Sequence, residues 1–339
     1  MRAAVLHSPG DIRLEDVAVP AVGRDEVLVR VAAVGVCGSD LPRMLVKGAH
    51  KMPIIGGHEF SGHIVDAGPE VEGFSRGELV AVPPMLPCRA CDQCGRGQFS
   101  RCRNYDYFGS RRDGAYAEFV AVPASNLLKT PAGIDPAAVA MVDPASIALH
   151  AIWKAGGLTA GRRGGVVGCG PIGLFAIQWM RLMGASEVVA VDLSKEKLAL
   201  AREAGATHAA LAGEPIGSGL ACDLVIEAVG HPSAINQAVL MAGPGGGVVL
   251  IGIPVGSVTL DAASFQHLLR QEIRLQGSWN SFGSPFPGDQ WTVTLEKLGS
   301  GALKWKFIVS HDLDLVELPR MFQAFKDRST FFSKVIFRP

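Results

Sequence analysis

The stretch Gly164-Gly-Val-Val-Gly-Cys-Gly-Pro-Ile-Gly173 (GGVVGCGPIG) decides how the C-terminal half of this chain folds. Its G-x-G-x-x-G core is a weak signal alone. Here a short apolar run leads into it and a helical apolar pattern, LFAIQWMRLMG, follows, which gives the strand–turn–helix context the motif requires. Gly168 forms the tight turn, Gly170 lets a pyrophosphate approach the backbone, and Gly173 packs helix against strand. Ile172 lies in the same turn. The free amides and positive dipole end of the helix then face the phosphates. A second apolar run, Glu187–Asp192, ends in an acid 19 residues after Gly173, close to the ~20 expected of a dinucleotide site. A carboxylate there accepts from both ribose hydroxyls and repels a 2′-phosphate, so the pattern reads as NAD rather than NADP. An N-cap role for Asp192, at the helix starting near Ser194, is compatible with this.

Working outward, His208–Ala212, Asp223–Val229, Gly247–Ile253 and Ile273–Gly277 read as strands, and Lys195–Ala204 and Ser233–Ala242 as helices. Such alternation predicts an α/β fold, a doubly wound parallel sheet with helices on both faces. Between the third and fourth strands only GEPIGSGLA intervenes, too short for a full crossover helix. The pattern places a Rossmann-type nucleotide domain at 148–280 and a β-rich catalytic domain at 1–147, completed by 281–339 with its strand-like FFSKVIFRP. The active site is expected in the cleft between them. Cys169 and Cys222, with no metal-binding neighbour in sequence, read as small buried packing residues.

Four of the seven cysteines fall within fifteen residues: Cys88, Cys91, Cys94 and Cys102, spaced C-x2-C-x2-C-x7-C. Two-residue gaps let neighbouring thiolates converge, and Gly95 and Gly97 let the backbone turn. Four thiolates close a tetrahedral zinc site and leave no position for substrate, so this loop answers a structural need. Iron–sulfur clusters also take four cysteines but with other usual spacings. A second donor set is scattered. Cys37 sits in VAAVGVCGSDLPR, His58-Glu59 in PIIGGHEFSG, and Asp143 in MVDPASIALH. Each alone reads as core or as a structural hydrogen bond. Together they offer what an open catalytic zinc site needs.

GHEFSGHIVDAGPEVEGFSRGELVAV, preceded by CGSD and followed by the four-cysteine loop, resembles the zinc-dependent medium-chain alcohol and polyol dehydrogenases over nearly the whole chain. The resemblance implies a GroES-like catalytic domain. It makes Cys37 and His58 fixed ligands of a catalytic zinc, with Glu59 a ligand or a close carboxylate. Asp40 would hold the other ring nitrogen of His58, Ser39 would accept the proton of the substrate hydroxyl, and Lys197 would touch the adenosine ribose. Asp143 stands where relatives carry Glu before the Pro. Its side chain is shorter by one bond, about 1.5 Å, against a ligand tolerance of about 0.2 Å, so direct ligation and ligation through water both stand open. Pro42 stands where some members place a relay histidine. CGSDLPRMLVKGAH, YFGSRRDGAYAEF and GSWNSFGSPFPGDQW are closer still to the branch acting on galactitol 1-phosphate.

The implied activity is oxidation of a secondary hydroxyl of a polyol or polyol phosphate, with zinc and NAD. The alternative substrates are a free polyol, an amino alcohol or a cyclitol. Arg43, Lys47, Lys51, Arg111 and Arg112 are the cations expected to hold a phosphate. Lys and Arg together number 32, as do Asp and Glu, so nothing in the bulk charge points to nucleic acid or an anionic membrane. The N-terminus lacks a signal-peptide core, no apolar run reaches the ~18 residues of a membrane span, and a cytoplasmic homodimer or homotetramer is expected.

Overall fold

A computed structural model describes residues 1–214, 220–254, 256–327 and 329–339. The chain forms two compact units. One comprises Met1–Asp143, Phe282–Ser300 and Val309–Pro339, the other Pro144–Ser281 and Gly301–Ile308. The division falls at Asp143/Pro144 rather than after 147, inside the helix Val142–Lys154. Gly301–Ile308, which the sequence pattern grouped with the catalytic part, belongs to the second unit. There the Gln178 amide brackets Lys304, donating to its carbonyl at 2.9 Å and accepting from its N–H at 2.7 Å.

Among the described residues the first unit is built on a seven-stranded sheet and a three-stranded one. The strand Glu26–Gly35 (EVLVRVAAVG) organises the larger sheet. Its β-branched positions Val27, Val29 and Val31 are buried at period two, as a half-covered strand requires. It pairs antiparallel with Glu59–Ala67, with Phe119–Pro123 and with Lys334–Arg338. The register sets Gly35 opposite both Glu59 and Ile336. The last strand of the chain and the strand that begins at Glu59 therefore flank Gly35 from opposite sides.

The second unit carries, among the described residues, a six-stranded sheet in the order His208–Leu211, Glu187–Asp192, Arg163–Val167, Cys222–Glu227, Ala242–Leu250, Arg274–Gly277. All its pairings are parallel. Val189, Val191, Val225, Val239 and Val248 fill its core. Strand order reverses beside Arg163–Val167, which places the glycine turn at the switch point of the sheet. The fourth strand stops at Glu227 rather than Val229, because the Glu227 carboxylate takes the N–H groups of Val229 and Gly230, each at 2.7 Å, and bends the chain there. Of GEPIGSGLA, residues 215–219 lie outside the described residues. No helix among the described residues is long and apolar enough to cross a membrane.

Candidate active site

In the nucleotide-type unit, Gly168 has φ +94°, a backbone that L side chains rarely adopt. A Cβ on Gly173 would collide with the Gly168 carbonyl, whereas one on Gly170 would meet nothing within 4 Å. The turn is thus closed where helix meets strand and open where a ligand would approach. The helix Pro171–Leu182 starts here, with Ile172 half-buried in its first turn. Asp192 is pinned against this turn: Oδ2 accepts from the Cys169 N–H at 2.7 Å and Oδ1 from the Ser194 N–H at 2.9 Å. The N-cap of the next helix is Ser194 itself, whose Oγ accepts from the Lys197 N–H at 3.2 Å. Asp192 is therefore not that helix's N-cap.

In the other unit the four loop thiols lie within 4.8 Å of one another. Cys88 and Cys102 are 3.4 Å apart, and Cys88 and Cys94 are 4.0 Å apart. A tetrahedron with Zn–S bonds of about 2.3 Å has edges of about 3.8 Å. Burial pushes the Cys94 thiol up to about 12, while backbone N–H groups, that of Arg103 foremost, pull Cys91 down to about 6. Burying Cys94 and Cys102 as thiolates calls for a cation between them, and the donor set fits zinc.

Cys37, His58 and Glu59 form the second convergent donor set, again within 4.8 Å. Cys37 follows the strand Glu26–Gly35 and Glu59 opens its neighbour, so strand pairing brings them together. Asp40, fully buried, is the hub behind them. Its Oδ2 accepts from the Cys37 N–H and the Tyr116 hydroxyl, both at 3.0 Å. Its Oδ1 accepts from Arg43 at 2.6 Å and lies 3.3 Å from His58 Nδ1. Nε2 is thereby the ring nitrogen left for a metal. Burial alone would raise the Asp40 carboxyl, but His58, Arg43 and the Cys37 amide together hold it well below the usual carboxylate range. Ser39 Oγ donates to Cys37 Sγ at 3.3 Å. One thiolate, one imidazole and one carboxylate suit an open zinc site.

Asp143 does not join the convergent trio. It is buried in the same region, where desolvation, and then the Glu59 charge, push its carboxyl up to about 7. Its arm is one methylene shorter than a glutamate's. Lys334 is the residue that sequence reasoning missed. It is 1 % exposed, its ammonium donates to the Val36 carbonyl at 3.0 Å, and it forms an ion pair with Glu59. Gly35 makes room for that pair, since a Cβ there would stand 2.6 Å from Lys334 Cε and 2.8 Å from a Glu59 oxygen. A lysine inside the apolar run of FFSKVIFRP was the available signal.

The cations assigned to phosphate are mostly engaged elsewhere. Arg43 serves Asp40, the Arg111 guanidinium stacks 4.6 Å from the Tyr105 ring, and Arg112 lies 3.6 Å from Glu26 and over Phe108. Lys47 and Lys51 are exposed. Cys169 and Cys222 are fully buried and belong to neither convergent donor set.

Residues 23–132 match the alcohol dehydrogenase GroES-like domain and residues 171–291 the zinc-binding dehydrogenase domain. Galactitol 1-phosphate 5-dehydrogenase of Escherichia coli (strain K12) is 36 % identical over 320 residues, covering 92 % of each chain. L-threonine 3-dehydrogenase of Bacillus subtilis (strain 168) is 32 % identical over 96 % of this chain and 94 % of its own. The crystal structure of galactitol-1-phosphate dehydrogenase from Escherichia coli superposes with a TM-score of 0.94 at 34 % identity, with both chains fully covered. Other solved neighbours are described as bound to NADP or complexed with NADH.

Proposed function

We propose that this chain, which belongs to the zinc-dependent medium-chain alcohol and polyol dehydrogenases, oxidises a secondary hydroxyl of a sugar alcohol, galactitol 1-phosphate foremost, and uses NAD. The observation that carries the chemistry is the convergence of Cys37, His58 and Glu59 in a unit that also holds an all-thiol cluster. When bound, zinc at the trio supplies Lewis-acid polarisation of the substrate hydroxyl, and NAD at the glycine turn supplies the hydride acceptor.

The remaining work falls to the chain's own residues. Asp40 fixes the backbone of Cys37 and faces one ring nitrogen of His58. Ser39 holds its hydroxyl beside Cys37 Sγ and, on this reading, takes the substrate's proton. Pro42 has no side-chain acceptor, so the proton continues from Ser39 by another route. Asp192, held by two backbone N–H groups, presents a fixed carboxylate to the adenosine ribose and disfavours a 2′-phosphate.

The relatives support the substrate reading; with Arg43 on Asp40, Arg111 on the Tyr105 ring and Arg112 beside Glu26, the cations left for a phosphate are Lys47 and Lys51. An amino alcohol is the second reading, favoured by the similarity to L-threonine 3-dehydrogenase. Comparison of kcat/KM for galactitol 1-phosphate, galactitol, sorbitol and L-threonine separates them. The phosphate reading fails if free galactitol is oxidised as efficiently as its ester.

A further inference from the structure

We propose that Arg43 is a positioning residue of the Cys37–His58 metal centre, and not a cation reserved for the substrate's phosphate. The inference rests on the reading that Cys37 and His58 hold the catalytic zinc.

Arg43 stands three residues after Asp40, where the helical turn Asp40–Pro42 passes into the π-helical turn Arg43–Lys47. That spacing folds the guanidinium back over the loop that carries Cys37. The two ends of its fork grip different groups: Nη1 donates to Asp40 Oδ1 at 2.6 Å, and Nη2 to Ser39 Oγ at 3.4 Å. Both arms end on Cys37. Along one, the Asp40 carboxylate accepts the Cys37 N–H; along the other, the Ser39 hydroxyl donates to Cys37 Sγ. The first arm also touches the imidazole, because Oδ1 lies 3.3 Å from His58 Nδ1.

The energetics favour this role over phosphate binding. Asp40 has no solvent contact, and a buried carboxylate needs a paired cation and satisfied lone pairs. Cys37 N–H and Tyr116 OH occupy Oδ2 but bring no charge. Arg43 is the cation bonded to the other oxygen, with only 19 % of its side chain exposed. Turning to a phosphate would strip Asp40 of that partner, an exchange that costs more than an exposed arginine would pay. Arg43 also fills the neighbourhood of Ser39 with a group that cannot take a proton. It therefore orients the Ser39 hydroxyl toward Cys37 without relaying from it. Lysine would not replace it, since one ammonium cannot span two acceptors as a planar fork does.

The test uses the full chain. Zinc content is followed under graded chelator competition, and the visible absorption of cobalt placed in the weaker site is recorded, for wild type, Arg43→Met, Arg43→Lys and Cys37→Ser. In Arg43→Met the weaker zinc is expected to loosen about ten- to hundredfold, as happens when partners behind metal ligands are removed. The four-thiol zinc should be kept and the cobalt band should shift. Arg43→Lys should recover only part of the affinity, and turnover should fall on free polyol and ester alike. Should Arg43→Met not accumulate folded, Arg43→Gln carries the same comparison. Unchanged zinc affinity and cobalt spectrum, with KM rising for the phosphate ester alone, would overturn the proposal. Retention of both metals by Cys37→Ser would instead overturn the underlying assignment of the metal site.

Discussion

Replacing Lys334 by Met removes the ammonium that faces Glu59 and leaves the methylene stem in place. Both residues of the pair are nearly inaccessible, at 1 % and 3 % exposure, so water cannot stand in for the lost charge. The orphaned carboxylate also sits beside Asp143, whose own carboxyl is pushed up by burial and then by Glu59, and eased by Lys334. Removing one partner of a buried pair costs about 3–5 kcal/mol. At 2–4 °C per kcal/mol for a domain of this size, unfolding should move down by roughly 6–20 °C. The loss belongs to protein stripped of its catalytic metal by graded chelation. With that metal restored, the ion offers Glu59 a positive charge and the loss should shrink. Urea and thermal unfolding of wild type, Lys334→Met, Glu59→Gln and the double variant form a cycle. A coupling of about 0.5–3 kcal/mol is expected between the two sites. Equal cost of Lys334→Met in the wild-type and Glu59→Gln backgrounds would refute the reasoning.

Two further outcomes follow from the same geometry. Cys94→Ser should leave one zinc per chain, lower the unfolding temperature and keep the Cys37–His58 metal; metal analysis returning two zincs would contradict it. Asp192→Ala should weaken NAD by about ten- to hundredfold, the value of a hydrogen bond to a charged group, and narrow the preference over NADP. Equal wild-type efficiency with both coenzymes would remove the basis for it.

Sequence reading reached what is local. The strand–glycine–helix stretch is legible because backbone geometry dictates its glycines: Gly168 needs a positive φ and Gly173 admits no Cβ. The four-thiol cluster is legible because its donors lie within fifteen residues. Glu59 and Cys37 were legible as chemistry, but their neighbour Lys334 enters from the far end of the chain, 275 residues after Glu59, through a strand pairing that no spacing reveals. Arg43 shows the opposite case, because the fold bonds it to Asp40. Its cationic type suggested a phosphate, whereas its three-residue spacing from Asp40 turned it inward. Composition identifies a charge, but only the fold shows which buried group has first claim on it.

That distinction bears most on Asp143. Its type and position in sequence suggested a third protein ligand, yet Cys37, His58 and Glu59 converge without it. Its carboxyl, raised from an ordinary 3.8 to about 7, holds more protons in the native state than in the unfolded one across that window. The sign follows: the stabilisation is complete below about pH 3.8 and is lost as pH rises through 7, with a slope of at most about 1.4 kcal/mol per pH unit. Asp143→Asn removes this titration. In protein stripped of the catalytic metal, the variant should gain stability relative to wild type as pH climbs from 4 to 7. It should also keep zinc at the Cys37 site within about twofold, against the much larger loss that deleting a ligand brings. Parallel stability curves for the two proteins over that range would show that the carboxyl is not held protonated. A steep fall in zinc affinity would show that Asp143 reaches the metal after all.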